Sequence, residues 1–136
     1  MMKALLPKLR FSLRGFSLVE MMACVSIIGI IAFMAIPSVT RMRGDSERNL
    51  AIARAESLNL ALASYIQVRG RTQAALEWTA ASSPEAKYQL LKSYLSFAER
   101  DLATFLPSGY SLTFPLSITP MTKATLSNPT GATIYY

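Results

Sequence analysis

Glu20 has the clearest chemical consequence in the sequence, because it lies in a stretch, residues 16–39, that holds no other charged side chain. A carboxylate near the centre of a membrane costs about 2.5–3.5 kcal/mol on insertion scales, and less near an interface. The carboxylate therefore requires a partner. Arg14 is the nearest preceding cation, and six residues is a poor spacing for a contact on one helix.

Hydrolysis of the bond between Gly15 and Phe16 would supply such a partner. The new α-amino cation of Phe16 would lie four residues before Glu20, on the same face of a helix. An alternative is that Glu20 lies near the membrane interface, where it extends towards water or stays protonated. Residue types and spacing alone leave both interpretations open.

Other chemistry has little support in the sequence. There is no histidine and one cysteine, Cys24, which excludes an intramolecular disulfide, a histidine-dependent triad and the usual zinc sites. We find no nucleotide-binding loop and no nucleophile paired with a base, and no acidic residue follows Asp101. We therefore expect no enzyme activity, no cofactor and no metal site, calcium included.

The positive charge is concentrated at the N-terminus. The formal net charge is +6, and residues 1–15 contain four cations and no acid, namely Lys3, Lys8, Arg10 and Arg14. Without them, the remaining ten cations face eight acids, a net charge of +2. A basic surface for nucleic acid is therefore not expected on the remainder.

Residues 16–39 predict a helix that crosses a membrane. These 24 residues would measure about 36 Å as a helix, enough for the apolar core of a bilayer. The basic flank before them should remain in the cytoplasm, which places the following residues across the membrane.

The string Gly15-Phe16-Ser17-Leu18-Val19-Glu20 resembles the class III signal of type IV prepilins and type II secretion pseudopilins. A short basic leader, glycine before the cut, phenylalanine after it and glutamate at the fifth mature position all match. The resemblance implies cleavage after Gly15, methylation of the Phe16 amine, and pairing of that amine with Glu20 of a neighbouring subunit during assembly. In this family, helix-weakening residues also occur where the chain has Gly29 and Pro37, so the segment between them should kink or melt easily.

Three regions follow: a cleaved basic leader (1–15), a transmembrane and filament-core helix (16–39), and a pilin-like periplasmic head (40–136). The head includes the second half of the long helix, which should end at Gly70. Its predicted buried stripe is Ala51, Ala55, Leu58, Ala61, Leu62, Tyr65 and Ile66, with Asn49, Glu56, Asn59 and Gln67 largely opposite.

The remaining elements predict an α+β fold. Residues 71–83 form a loop or one short helix, and Ser83-Pro84-Glu85 begins a second amphipathic helix that ends near Pro107. Alternation from Tyr110 to Thr119 predicts a strand, with its apolar face at Tyr110, Leu112, Phe114, Leu116 and Ile118. Strands at 122–126 and 132–136, separated by a turn at 128–131, complete a small antiparallel sheet.

The sequence thus favours a structural subunit of a type IV pilus-like or type II secretion pseudopilus filament. Its expected partners are the prepilin peptidase and methyltransferase, copies of itself and other pilin-like subunits, an inner-membrane assembly platform and membrane lipid. Its expected location is the inner membrane, with the head in the periplasm, and then a filament. Two alternatives are a signal-anchored envelope protein whose head binds a partner, and a minor pilin in DNA uptake.

Overall fold

The computed structural model describes residues 15–136. It confirms the α+β class, with one long helix, several shorter helices and a small antiparallel sheet. The elements are α1 (Leu18–Arg69), α2 (Arg71–Ala80), α3 (Pro84–Leu91), a 3-10 turn (Lys92–Tyr94), α4 (Leu102–Phe105), β1 (Ser111–Thr113), β2 (Thr125–Ser127) and β3 (Thr133–Ile134).

The chain divides into two compact units, with the boundary between Thr40 and Arg41. In the first unit, every residue of α1 is exposed, and the large apolar side chains are exposed on all sides of the helix. In the second unit, α1 has a buried face made of Ala51, Ala55, Leu58, Asn59, Ala61, Leu62 and Tyr65. The predicted stripe is confirmed there, because its residues from Ala51 to Tyr65 are buried and Ile66 is partly buried against the core.

Asn59 corrects the predicted polar face of α1, because its side chain is buried rather than exposed. Its Oδ1 accepts a hydrogen bond from the backbone N–H of Ala124 at 3.0 Å, and its Nδ2 donates to the Tyr136 hydroxyl at 3.4 Å. The Tyr136 hydroxyl in turn donates to the Ala124 carbonyl. A buried amide is tolerated because both of its ends have partners, and these bonds attach the sheet to α1.

A salt bridge reinforces this attachment at the surface. Lys123 Nζ lies 2.9 Å from Glu56 Oε1 and donates to the Tyr136 carbonyl at 3.1 Å. The same ammonium group lies 5.2 Å from the centre of the Tyr136 ring. Because both charged side chains are about half exposed, water screens this pair and the buried Asn59 contacts should dominate.

Gly70 ends α1, as predicted, and also allows α2 to begin at once. Its φ of 80° lies in the left-handed region that favours glycine. Its N–H donates to the Ile66 carbonyl, and its own carbonyl accepts from Ala74 N–H, the first helical bond of α2. Residues 71–80 therefore form the short helix, rather than the loop, of the two predicted alternatives.

Trp78 on α2 is the largest fully buried side chain of the described residues. Its ring contacts Phe114 edge to face with centroids 5.6 Å apart, and Tyr65 at 6.5 Å. Its indole N–H donates to the Pro115 carbonyl at 2.9 Å, so burial leaves the polar atom satisfied. Trp78 thereby joins α1, α2 and the segment that follows β1.

Tyr65 and Glu77 connect α1 with α2. The buried Tyr65 hydroxyl donates to Glu77 Oε2 at 2.7 Å, and Gln73 donates to Glu77 Oε1 at 3.0 Å. Burial, together with the hydrogen bond to Glu77, raises the pKa of Tyr65 well above its usual value. The hydrogen bond from Tyr65, followed by that from Gln73, lowers the pKa of Glu77. The pair is therefore stable with tyrosine neutral and glutamate ionised.

The predicted second amphipathic helix begins as expected but is much shorter than predicted. Ser83 is the N-cap of α3 and accepts from Ala86 N–H at 3.1 Å, and Pro84 occupies the first turn. The helix ends at Leu91 instead of continuing towards Pro107, and after the 3-10 turn Leu95 is extended. Apolar spacing continues past Leu91, so the pattern alone gave no indication of the break.

Tertiary hydrogen bonds explain this break, since they hold residues 99–102 alongside α3. The Tyr88 hydroxyl donates to the Glu99 carbonyl at 3.0 Å, and Lys92 Nζ donates to the Arg100 carbonyl at 3.1 Å. Glu85 Oε2 accepts from Leu102 N–H at 2.9 Å. These three contacts require the chain to reverse direction after α3.

Asp101 then begins α4 through a capping box with Thr104. Its carboxylate accepts from the backbone N–H of Thr104 at 2.8 Å, while the Thr104 hydroxyl lies 3.4 Å from Asp101 N–H. The hydrogen bond from the Thr104 backbone, followed by that from its hydroxyl, lowers the pKa of Asp101. The usual sequence sign of a capping box has glutamate or glutamine three residues after the cap, so Asp101 with Thr104 did not indicate this helix start.

The sheet has the predicted antiparallel arrangement, with shorter strands in the order β1-β2-β3. Leu112 pairs with Leu126, and Leu126 pairs with Ile134, so one buried apolar residue from each strand faces the core. The turn predicted at 128–131 is present, and Asn128 Oδ1 accepts from Thr130 and Ala132 N–H.

Pro115 explains why β1 stops at Thr113 instead of continuing to Thr119. Proline has no N–H for a neighbouring strand, and the Pro115 carbonyl binds the side chains of Trp78 and Lys87 instead. Alternation holds as far as Phe114, which is buried, but Leu116 is 91% exposed and its predicted place on the inner face is wrong. Ile118 returns to the core.

Replacement of Asn59 tests how much its buried hydrogen bonds contribute to the stability of the second unit. In Asn59→Ala, the N–H of Ala124 and the Tyr136 hydroxyl lose buried partners, so we expect the free energy of unfolding of the second unit to fall by about 1–3 kcal/mol. The measurement is denaturant unfolding of the full chain in detergent micelles, followed by tryptophan fluorescence. Asn49→Ala, on an exposed part of the same helix, is the matched control. Equal stability of the two variants would contradict this role of Asn59.

Candidate processing and assembly site

Two hydrogen bonds fix the start of α1, one to the Ser17 hydroxyl and one to the Glu20 carboxylate. The Ser17 hydroxyl accepts from Val19 N–H at 3.3 Å, and Glu20 Oε2 accepts from Ser17 N–H at 3.0 Å. The first helical backbone bond runs from Met21 N–H to the Ser17 carbonyl at 3.2 Å. Ser17 is therefore the N-cap, its hydroxyl binds the second helical N–H, and Glu20 makes the return bond of a capping box to Ser17 N–H.

Gly15 and Phe16 lie just outside this helix. Residues 15–17 are not helical, and the Phe16 side chain is 83% exposed. The predicted cut between Gly15 and Phe16 thus lies before the N-cap Ser17 and outside the helix, which begins at Leu18. The predicted basic leader, apart from Gly15, lies outside the described residues.

Glu20 has a partner in the uncut chain, which the sequence analysis did not foresee. The spacing between Phe16 and Glu20 suggested a cation as the partner, whereas the observed donor is the backbone N–H of Ser17, three residues before Glu20. The spacing of Ser17 and Glu20 is itself the usual sequence sign of a capping box, so this signal was available. A pairing between Glu20 and the Phe16 amine of a cut chain stays a prediction.

The helix that follows is apolar on every side. Its most apolar window has a mean hydropathy of 2.4, is entirely exposed and meets the length and composition for crossing a membrane. An exposed apolar surface of this extent requires lipid or other apolar helices around it. Within the segment, the Ser26 hydroxyl is satisfied locally, since it donates to the Met22 carbonyl at 2.8 Å.

Residues 11–36 match a family model described as the prokaryotic N-terminal methylation motif. The match contains the predicted cut, the capping box and most of the apolar helix. The chain carries a type IV pilin-like prepilin signal. No curated protein and no solved structure matches the chain. The match covers the N-terminal segment of the chain and does not extend into the second unit.

Gly29 and Pro37 both lie within α1, which is helical at each position. Pro37 has no N–H to donate to the Phe33 carbonyl, and Gly29 has open space around the position of a Cβ atom. Thr40 donates its hydroxyl to the Pro37 carbonyl at 3.0 Å, an extra bond one turn later. Easier melting of the segment between the two residues stays a prediction.

Beyond the start of α1, the described residues offer few groups that could bind a metal or act on a substrate. Across 15–136, no three histidine, cysteine, aspartate or glutamate side chains come together as metal ligands would. Several carboxylates of the second unit instead have structural partners, as Glu77 does with Tyr65 and Asp101 does with Thr104. The candidate site is therefore the start of α1.

Replacement of Pro37 tests the weak point in α1. In Pro37→Ala, a backbone N–H returns to bond the Phe33 carbonyl and the ring no longer obstructs it, a gain of about 3 kcal/mol in helix stability. We expect slower amide hydrogen exchange from 33 to 41 in the full chain in micelles. Gly44→Ala, which gains about 1 kcal/mol of helix propensity without a new hydrogen bond, is the control. Unchanged amide hydrogen exchange around residue 37 in Pro37→Ala would contradict the prediction that Pro37 weakens α1.

Proposed function

We propose that this protein is a structural subunit of a type IV pilus-like or type II secretion pseudopilus filament. The observation that carries the proposal is the methylation-motif match at residues 11–36, which falls on an exposed apolar helix with one acidic residue in its first turn. In this proposal the prepilin peptidase cuts after Gly15 and the Phe16 amine is then methylated by a methyl donor.

Assembly follows from the same residues. The apolar helices of several subunits bundle in the filament core, which removes the exposed surface of residues 18–39 from lipid. The Phe16 amine of one subunit pairs with Glu20 of its neighbour, and because such a pair is strongest in an apolar surrounding, it sets the axial register between subunits. Before assembly, the subunit lies in the inner membrane with its head in the periplasm.

The head has a structural role in this proposal. The buried polar groups described above have hydrogen-bond partners within the head, and several of its carboxylates bind neighbouring residues, as Glu77 and Asp101 do. Partners of the head would be copies of this chain, other pilin-like subunits and the assembly platform.

The N-terminus of the chain extracted from membranes tests the processing step. Mass spectrometry should find a mature chain that begins at Phe16 with one added methyl group. An intact Met1 would indicate a signal-anchored envelope protein and overturn the proposal. The same cells without the prepilin peptidase provide the control, because there the leader should remain.

Replacement of Glu20 tests the assembly step. Glutamine keeps an oxygen that can accept from Ser17 N–H, so Glu20→Gln should preserve the helix start and membrane insertion but remove the negative charge. We expect filament yield to fall by at least tenfold, measured by electron microscopy and by fractionation of sheared filaments, at equal amounts of membrane-inserted subunit. Glu47→Gln, which removes an exposed charge paired with Arg43 at 3.3 Å, should assemble normally. Normal filaments from Glu20→Gln would eliminate the charge pair.

A further inference from the structure

The Ser17 hydroxyl accepts a hydrogen bond from Val19 N–H, which could otherwise donate to the Gly15 carbonyl at the predicted cut. In a continuous α-helix, each N–H donates to the carbonyl four residues earlier, so Val19 N–H would bind the Gly15 carbonyl. In the structure, Val19 N–H donates to the Ser17 hydroxyl at 3.3 Å. The Gly15 carbonyl therefore stays outside the helix.

Glu20 acts in the same direction from the other side of the N-cap. Its Oε2 accepts from Ser17 N–H at 3.0 Å, which occupies the donor just after Phe16. Together the two bonds start the helix at Leu18 and leave residues 15–17 non-helical. A backbone carbonyl bound inside a helix would first have to be released before a peptidase could reach it.

We propose that Ser17 is a positioning residue for processing, which keeps the Gly15 carbonyl free for attack by competing for Val19 N–H. This inference rests on the proposed function. In the step itself, water adds to the Gly15 carbonyl carbon and the bond to Phe16 nitrogen breaks. Gly15 leaves as a carboxylate on the leader, and Phe16 keeps the nitrogen as an ammonium group. Ser17 touches none of these atoms and acts through the helix start.

The test measures cleavage and helix start separately in the full-length precursor. Precursor in detergent micelles is incubated with purified prepilin peptidase, and the fraction cut is followed by mass spectrometry at substrate concentrations below KM. For Ser17→Ala, which lacks the cap, we expect slower cleavage than for the unchanged chain, by up to about fivefold, because a typical N-cap loss shifts the equilibrium between the two helix starts by that factor. Ser17→Thr retains a hydroxyl acceptor and should restore most of the rate.

Backbone chemical shifts supply a readout that the rate alone cannot. In Ser17→Ala, the carbon shifts of Gly15 and Phe16 should move towards helical values, and in Ser17→Thr they should not. Ser38→Ala, a serine-to-alanine change in the same apolar segment far from the cut, controls for a general effect of lost hydroxyls.

The outcomes separate the two proposals. If the unchanged chain is not cut at all, the proposed function fails. If it is cut but Ser17→Ala is cut equally fast, or if Ser17→Thr is as slow as Ser17→Ala, the role of Ser17 fails while the proposed function stands. Slow cleavage of Ser17→Ala without a change in the shifts of residues 15 and 16 also contradicts the positioning role.

Discussion

A helix whose surface changes character along its length is the constraint on which the rest of the structure depends. Between Leu18 and Thr40, α1 exposes apolar side chains in every direction, whereas beyond Ala51 it buries one face only. A surface that is apolar all round requires an apolar environment, and a one-sided surface requires a layer packed against it. The short helices and the sheet of the second unit supply that layer. Its core is accordingly built on the side chains of α1, from Ala51 to Tyr65.

The attachment of the sheet to α1 depends on directional contacts as well as on burial. The strands are two or three residues long, which is too short for their own hydrogen bonds to hold them together. Asn59 compensates because it binds the backbone just before β2 and the tyrosine after β3. Trp78 has a comparable role at the other side of the core, where its indole N–H binds the Pro115 carbonyl. Small elements are thus stabilised by side chains from the long helix and α2.

Local signals in the sequence were reliable where backbone chemistry decides the structure. Gly70 was identified as the end of α1, and Ser83 with Pro84 as the start of α3, because a left-handed φ and an N-cap are each set by a few neighbouring residues. The end of α3 was not predictable in this way. Apolar spacing continues through Leu95 and Leu102, and the reversal there depends on hydrogen bonds to residues 99–102 that only the folded chain brings together. The burial of Asn59 has the same origin, since its partners lie more than sixty residues later.

At the candidate site, the cut and Glu20 were predicted from the sequence, whereas the donor to Glu20 was not. The predicted cut and Glu20 followed from residue types at the start of the apolar segment, and the methylation-motif match covers them. Ser17 and Glu20 also have the spacing of a capping box, which indicates a neutral backbone donor for Glu20 as well as a cation. A carboxylate can be satisfied by an N–H at the positive end of a helix as well as by a charged group. Glu20 is thus accommodated before any cut takes place.

The pairing of Lys123 with Glu56 has a consequence for the surface of the sheet. Lys123 is the only charged side chain from Leu102 to the end of the given sequence, and it is neutralised by α1. This part of the head therefore presents amides, hydroxyls and apolar groups such as Leu116 and Tyr135, with almost no electric field of its own. Electrostatic steering at this surface would therefore come from neighbouring charges on α1 and α3, such as Arg54 at Phe105 and Lys87 at Pro115, rather than from side chains of the sheet itself.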